Sequence, residues 1–234
     1  MKEDINICYL CGEPLVGDIH RDHVPPRQFY AREVRTKHSP NLFTLPVHSS
    51  CNKAYQKDED YFMHSIAPLA MESYSGKALW HDISKQYGRP QGRRIGKMIL
   101  EEFQERPSGL ILPSGKVAKK FDGQRVWRVV WKITRGLFFK EMGRFLPDET
   151  PRTYKIFSAG ENPPPEFDFV RNLLPQGQYP GVFDYKYIEF TEKNFHFWAM
   201  LFWDKIIIFV GFHDPHCKCK ICIDKSSELK LCYY

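Results

Sequence analysis

Two short pairs of metal-ligating residues constrain this chain more than any other feature. Cys8 and Cys11 form a Cys-x-x-Cys knuckle, and His48 and Cys51 repeat that spacing as His-x-x-Cys about forty residues later. A Cys-x-x-Cys pair puts two thiolates on one tight turn, within reach of a single ion. A second pair can close a tetrahedral set, the geometry zinc adopts in structural sites. The segment between the pairs has few core apolar residues of its own, so metal binding free energy would serve there as folding free energy. The expectation is a structural zinc site of Cys8, Cys11, His48 and Cys51.

Between the pairs lie an Asp-His dipeptide, Asp22-His23, and then Asn41, while Asn52 directly follows the last cysteine of the pairs. Taken together, Cys-x-x-Cys, Asp-His, Asn and His-x-x-Cys-Asn in this order resembles the HNH endonuclease family, over roughly the first quarter of the chain. The resemblance implies a zinc-stapled module of two strands and a helix around a catalytic metal. It implies that His23 is the general base that deprotonates the attacking water, a task suited to an imidazole whose pKa lies near neutrality. Asp22 and Asn52 would bind a divalent ion, magnesium or manganese, that stabilises charge on the phosphate. Asn41 would fix the backbone around the base and so orient it. Most relatives carry Cys where this chain has His48. His20 is a rival base that reads better as a solvent-facing strand residue, and Asp58, Glu59 and Asp60 read as a solvated helix face from which one carboxylate could reach the metal.

Hydrophobic residues make up 42% of the 234 and aromatics 15%, ample for a buried core. The longest apolar run, FWAMLFWDKIIIFVGF, is broken by Asp204 and Lys205, so a membrane span is not expected. The start, MKEDINICYLCG, lacks the apolar centre of a signal peptide, and seven cysteines suit a reduced interior, so a cytoplasmic protein is expected. The net charge of +6 is concentrated: residues 76–150 carry 16 Lys/Arg against 8 Asp/Glu, and the flanking stretches carry no excess of base. A phosphate-binding surface has that distribution, and so does an ordinary lysine-rich helical face. Candidate nucleic-acid contacts are Arg93, Arg94, Lys97, Arg125, Arg128 and Lys132.

The expected fold class is α+β. Residues 1–75 form the nuclease module, with strands over 5–24 and 42–47 and a helix capped at Ser49. Residues 76–234 form an α+β region: a basic helical part (76–146), antiparallel strands (150–212) and a Cys/His-rich tail (213–234). Residues 68–92 read as mixed, with a loop over 88–92, and 92–106 as a short basic amphipathic segment. A hairpin-like piece follows, with its turn at 113–115. The strongest helix outside the module spans 122–145. Val126, Val129, Val130, Ile133, Leu137 and Phe138 form its apolar stripe, with Arg125, Arg128, Lys132 and Arg135 on the other side. Trp127 and Trp131 read better as core than as nucleobase-stacking surfaces. DYKYIEFT, NFHFWAMLFW and KIIIFVGF form a meander packed on that helix. In the tail, His213, His216, Cys217, Cys219 and Cys222 offer a second zinc site.

The functional expectation is thus a metal-dependent HNH endonuclease cutting DNA, with structural zinc and catalytic magnesium or manganese. A restriction, anti-phage defence or mobile-element setting suits such a protein, with a protein partner or a homo-oligomer as further possibilities. The alternative is a non-catalytic zinc-containing nucleic-acid-binding module, or a regulatory subunit of a nuclease complex. Binding alone requires none of Asp22, His23, Asn41 and Asn52, and their joint presence favours the enzyme.

Overall fold

A computed structural model describes residues 6–38, 42–104, 111, 113–114, 118–157, 161–163, 165–177, 179 and 181–219. The chain is mixed α+β with antiparallel sheets, in agreement with the sequence reading. It begins with the knuckle. Cys8 N–H donates to the Glu13 carbonyl (2.9 Å) and Gly12 N–H to that of Cys8 (2.8 Å), closing a tight turn. Gly12 holds φ +79°, and a side chain there would also meet the Phe145 ring.

Strand β1 (Ile19–His23) pairs antiparallel with β2 (Thr44–His48), Asp22 opposite Leu45 and Ile19 opposite His48. Two prolines, Pro25 and Pro26, follow β1 and supply no N–H for a ladder, so the strand stops at His23. Between the strands lies α1 (Arg32–His38). After β2 the single expected helix is two pieces, α2 (Ser49–Lys53) and α3 (Gln56–Ile66). Ser49 is the first helical residue, not the cap. His48 occupies the cap position with an extended backbone and its ring turned toward the cysteines.

The stretch read as mixed is helical. In α4 (Tyr74–Tyr87), Ser73 caps the start by accepting from Gly76 N–H, and α5 (Pro90–Glu101) follows at once. The residues read as a loop include Pro90, which instead opens α5, where a missing N–H costs nothing. Short strands β3 (Phe103–Gln104) and β4 (Ala118–Lys119) pair beyond it. The turn expected at 113–115 lies partly outside the described residues.

The central helix is α6 (Gly123–Met142). The Asp122 carboxylate caps it by accepting from Gln124 and Arg125 N–H (3.0 and 3.3 Å), and Gly143 ends it at φ +65°. Every residue from Val129 to Phe139 is buried, so this stretch has no solvent face. That corrects the expectation that Lys132 and Arg135 point outward. α6 lies between the N-terminal hairpin and a sheet. On the hairpin side, a Cβ on Gly136 would run into the Val24 side chain at 2.7 Å, so the missing side chain permits the close approach.

The sheet is four-stranded and antiparallel, in the order β5-β8-β7-β6: β5 (Arg152–Phe157), β6 (Phe183–Phe190), β7 (Phe195–Phe202) and β8 (Ile206–His213). The expected meander is β6–β8, with β5 added at the β8 edge. Phe212 meets Trp131 and Phe138 edge-on (centroids 5.4 and 5.7 Å), which seats α6 on the sheet. Trp131 is buried, and half-buried Trp127 stacks on Tyr154 (4.9 Å), so both belong to packing. Phe29 stacks on Phe62 (5.0 Å), and its carbonyl accepts from the Trp203 indole (2.9 Å). The stretch around the hairpin and the sheet therefore share one buried cluster. No helix among the described residues is long and apolar enough to cross a membrane.

Candidate metal centre and the adjoining Asp22–His23 site

The hairpin register and the start of α2 bring Cys8, Cys11, His48 and Cys51 together. One ligand atom from each lies within 4.8 Å of all the others. His48 Nδ1 faces the thiols, 3.4 Å from Cys11 Sγ and 4.0 Å from Cys51 Sγ. Its other nitrogen, Nε2, is 3.0 Å from the Pro14 carbonyl. The Val16 N–H also approaches Nε2, but at 3.5 Å. A carbonyl only accepts, so the shorter Pro14 contact favours the proton on Nε2 and leaves the Nδ1 lone pair for a metal. Burial, then its neighbour Cys8, pushes Cys51 up to about 12, whereas backbone N–H groups of His48, Leu10 and Cys11 outweigh burial and hold Cys8 below its ordinary value. A cation among these sulfurs removes the repulsion that a second thiolate meets. The cluster can hold a metal ion.

Immediately beside the hairpin is a second convergence, of oxygens. The Lys132 ammonium, on α6 and 1% exposed, lies 2.8 Å from Asp22 Oδ2 and 3.1 Å from Asn52 Oδ1, and it also donates to Glu59 Oε1. Three acceptors thus satisfy the three donors of one ammonium. Tyr9 donates its hydroxyl to the same Asp22 oxygen. Burial, then the Asp22 charge, raises the Tyr9 phenol well above its ordinary value, so it stays a donor. Burial likewise raises Glu59, against the pull of Lys132. Asp22 and Asn52, singled out by the sequence, are joined here by Glu59, the one carboxylate of the acidic run that reaches the site, and by Lys132 and Tyr9, which the sequence did not assign to it.

The acidic run read as a solvated face is mostly internal: Asp58 and Glu59 are buried, and only Asp60 is exposed. Asp58 receives Arg125 (2.8 Å) and Arg128. Two of the proposed nucleic-acid contacts are therefore engaged in ion pairs, although the Arg128 side chain remains 47% exposed. Lys132 is enclosed and cannot be a surface contact, because the acidic oxygens of the site draw it inward. Arg93, Arg94 and Lys97 are exposed on α5.

His23 closes β1 next to Asp22 and is half-buried. Its ring has no hydrogen-bond partner among the described residues. Burial first, and then the Arg27 guanidinium, lowers the imidazole below its ordinary value, with Asp22 opposing. At neutral pH it is a free base. His20 is exposed and 3.5 Å from Asp18, as a solvent-facing residue would be. Asn41 lies outside the described residues.

In the tail, His213, Cys217 and Cys219 also converge. His216 is exposed, and Cys222 lies outside the described residues. Compared with protein-family models, with curated proteins and with solved structures, the chain finds no match.

Proposed function

We propose that the chain is a metal-dependent endonuclease of HNH type that hydrolyses phosphodiester bonds in DNA, with zinc held by Cys8, Cys11, His48 and Cys51 as the staple of the nuclease module. The observation that carries this reading is the meeting of Asp22, Asn52 and Glu59 oxygens around one cationic point, beside an unengaged, neutral His23. The donor set is of the type that magnesium or manganese takes, and the Lys132 ammonium is a stand-in cation on those same oxygens. When bound, such an ion supplies stabilisation of the charge on the phosphate and the leaving oxygen. His23 accepts a proton from water as the water oxygen bonds to phosphorus and the bond to the leaving oxygen breaks. Tyr9 and Glu59 fix the orientation of Asp22 and Lys132. Arg93, Arg94 and Lys97 are placed to meet phosphates of the backbone without reading sequence.

A second reading has a specific observation in its favour. Lys132 already neutralises the acidic oxygens, as in a site that has given up its ion. The chain would then be a non-catalytic zinc-containing nucleic-acid-binding module, or a regulatory subunit of a nuclease complex.

Supercoiled plasmid with magnesium or manganese separates the two. The wild type nicks and His23→Ala, matched for zinc content, is slower by about 10² to 10⁴-fold, as for loss of a general base. No cutting by either protein, with DNA retained on a gel, favours the binding module.

A further inference from the structure

The C-terminal end of the sheet carries a cluster that the nuclease reading does not use. His213 ends β8, opposite Phe195 at the start of β7, and the Phe195 ring meets its imidazole edge-on (5.4 Å). The chain then turns back on itself. Asp214 N–H donates to the Asn194 carbonyl (2.7 Å), and Cys217 N–H donates to the Asp214 carbonyl (2.8 Å). The Asp214 carboxylate lies 2.9 Å from the Arg144 guanidinium and 3.3 Å from His196 Nε2, and accepts from His216 N–H (2.9 Å). Cys219 N–H in turn donates to Cys217 Sγ (3.5 Å). The turn is thus built on the sheet and on Arg144 just after α6, and it aims two thiols at one imidazole.

The resulting geometry is that of a coordination sphere. His213 Nδ1 lies 3.3 Å from Cys217 Sγ and 3.6 Å from Cys219 Sγ, and the three ligand atoms all fall within 4.8 Å of one another. Zinc–sulfur bonds of about 2.3 Å and zinc–nitrogen bonds of about 2.0 Å at tetrahedral angles put sulfur and nitrogen about 3.5 Å apart. Two thiolates and an imidazole select a borderline-soft ion over magnesium or calcium, which require oxygen ligands. Cys219-x-x-Cys222 also repeats the Cys8-x-x-Cys11 spacing.

We propose that His213, Cys217 and Cys219 form a second zinc site that fastens the turn after β8 to the end of the β7–β8 hairpin, with these three residues as its ligands among the described residues. The site is structural and does not depend on whether the chain cuts DNA. Of the seven cysteines, three belong to the N-terminal cluster, and this site gives a role to at least two of the remaining four.

The test is zinc per chain, by elemental mass spectrometry, on the full chain purified under reductant, for the wild type and for Cys217→Ser/Cys219→Ser. The variant is expected to carry one zinc fewer with unchanged far-ultraviolet circular dichroism. Cobalt substitution gives a second readout. The thiolate-to-cobalt absorbance falls by about two-fifths, for two thiolates lost of five. Equal zinc in wild type and double variant overturns the proposal. If the variant fails to fold, alkylation of the wild type decides: Cys217 and Cys219 must react more slowly with zinc than after chelation, and equal rates overturn the site.

Discussion

The thiol cluster of Cys8, Cys11, His48 and Cys51 and the oxygen cluster of Asp22, Asn52 and Glu59 draw on the same hairpin and the helices that follow it. Both gather groups that repel one another unless a cation sits among them. They meet the demand differently. The oxygen cluster receives its cation from the chain, through Lys132. The thiol cluster receives no side-chain cation among the described residues, and its Nδ1 lone pair points inward. Thiols, which are neutral when protonated, can wait for an ion from solution. Carboxylates that are buried as the core forms need a counter-charge that arrives with the fold.

The largest effect expected from this contrast is on the thiol cluster. Chelation, or Cys51→Ser, is expected to remove the proposed zinc that would join the knuckle to β2 and α2. For a structural site in a chain with a shared core we expect a loss of about 5 kcal/mol, a fall in Tm of about 10–20 °C. Calorimetry with and without chelator checks it. An unchanged Tm would mean that the cluster does not bind a structural ion.

Next in size is Lys132→Met. It leaves Asp22 and Glu59 enclosed without their counter-charge, and breaking such a buried pair costs about 3–5 kcal/mol. Adding Glu59→Gln removes one of the stranded charges and should restore part of the loss. Manganese should raise the Tm of Lys132→Met more than that of the wild type, because the ammonium no longer competes with the ion for the three oxygens. Urea unfolding of the three proteins, each with and without manganese, checks both points. Equal manganese effects in wild type and variant would show that the ammonium and the ion do not share these oxygens.

The contrast also explains how much could be read from sequence. Ligand spacing along the chain carried the thiol cluster, local signals carried β1 and β2, and apolar periodicity carried α6, which ends at Met142 rather than 145 because Gly143 takes up a left-handed backbone. Alternation and β-branched residues carried the meander. The oxygen cluster was half legible: Asp22 and Asn52 were singled out, but Lys132, 80 residues beyond Asn52, was assigned to a solvent face. Charged residues are outside by default, and only a partner distant in sequence reverses that. A signal was present. Asp58 and Glu59 on one helix and Arg125, Arg128 and Lys132 on another are mutually complementary, and pairing them satisfies both. α4 and α5 were expected only as a basic helical part without separate bounds, since Gly88, Pro90 and Gly92 suggest a loop although Pro90 only starts a helix.

The smallest effect separates charge buried with a partner from a titratable group buried without one. His64 on α3 is buried, with Nδ1 3.0 Å from the Tyr87 hydroxyl of α4, and the nearby Glu102 carboxylate is engaged by Lys119, Tyr61 and Ser65. Burial alone lowers its imidazole to about 4. The folded state therefore keeps His64 neutral where the unfolded chain already binds a proton. Its contribution to stability is complete above the unfolded value of about 6.5, is lost as pH falls, and stops changing below about 4. Over that window the slope from this one group approaches but does not exceed about 1.4 kcal/mol per pH unit. His64→Gln has no proton to bind and keeps a polar group facing Tyr87. Its unfolding free energy, measured by urea titration from neutral pH downward, should fall less steeply than that of the wild type within the window and in parallel with it outside. Wild type and variant losing stability at the same rate throughout would show that His64 is as accessible to protons in the folded chain as in the unfolded one, and that the α3–α4 contact is open to water.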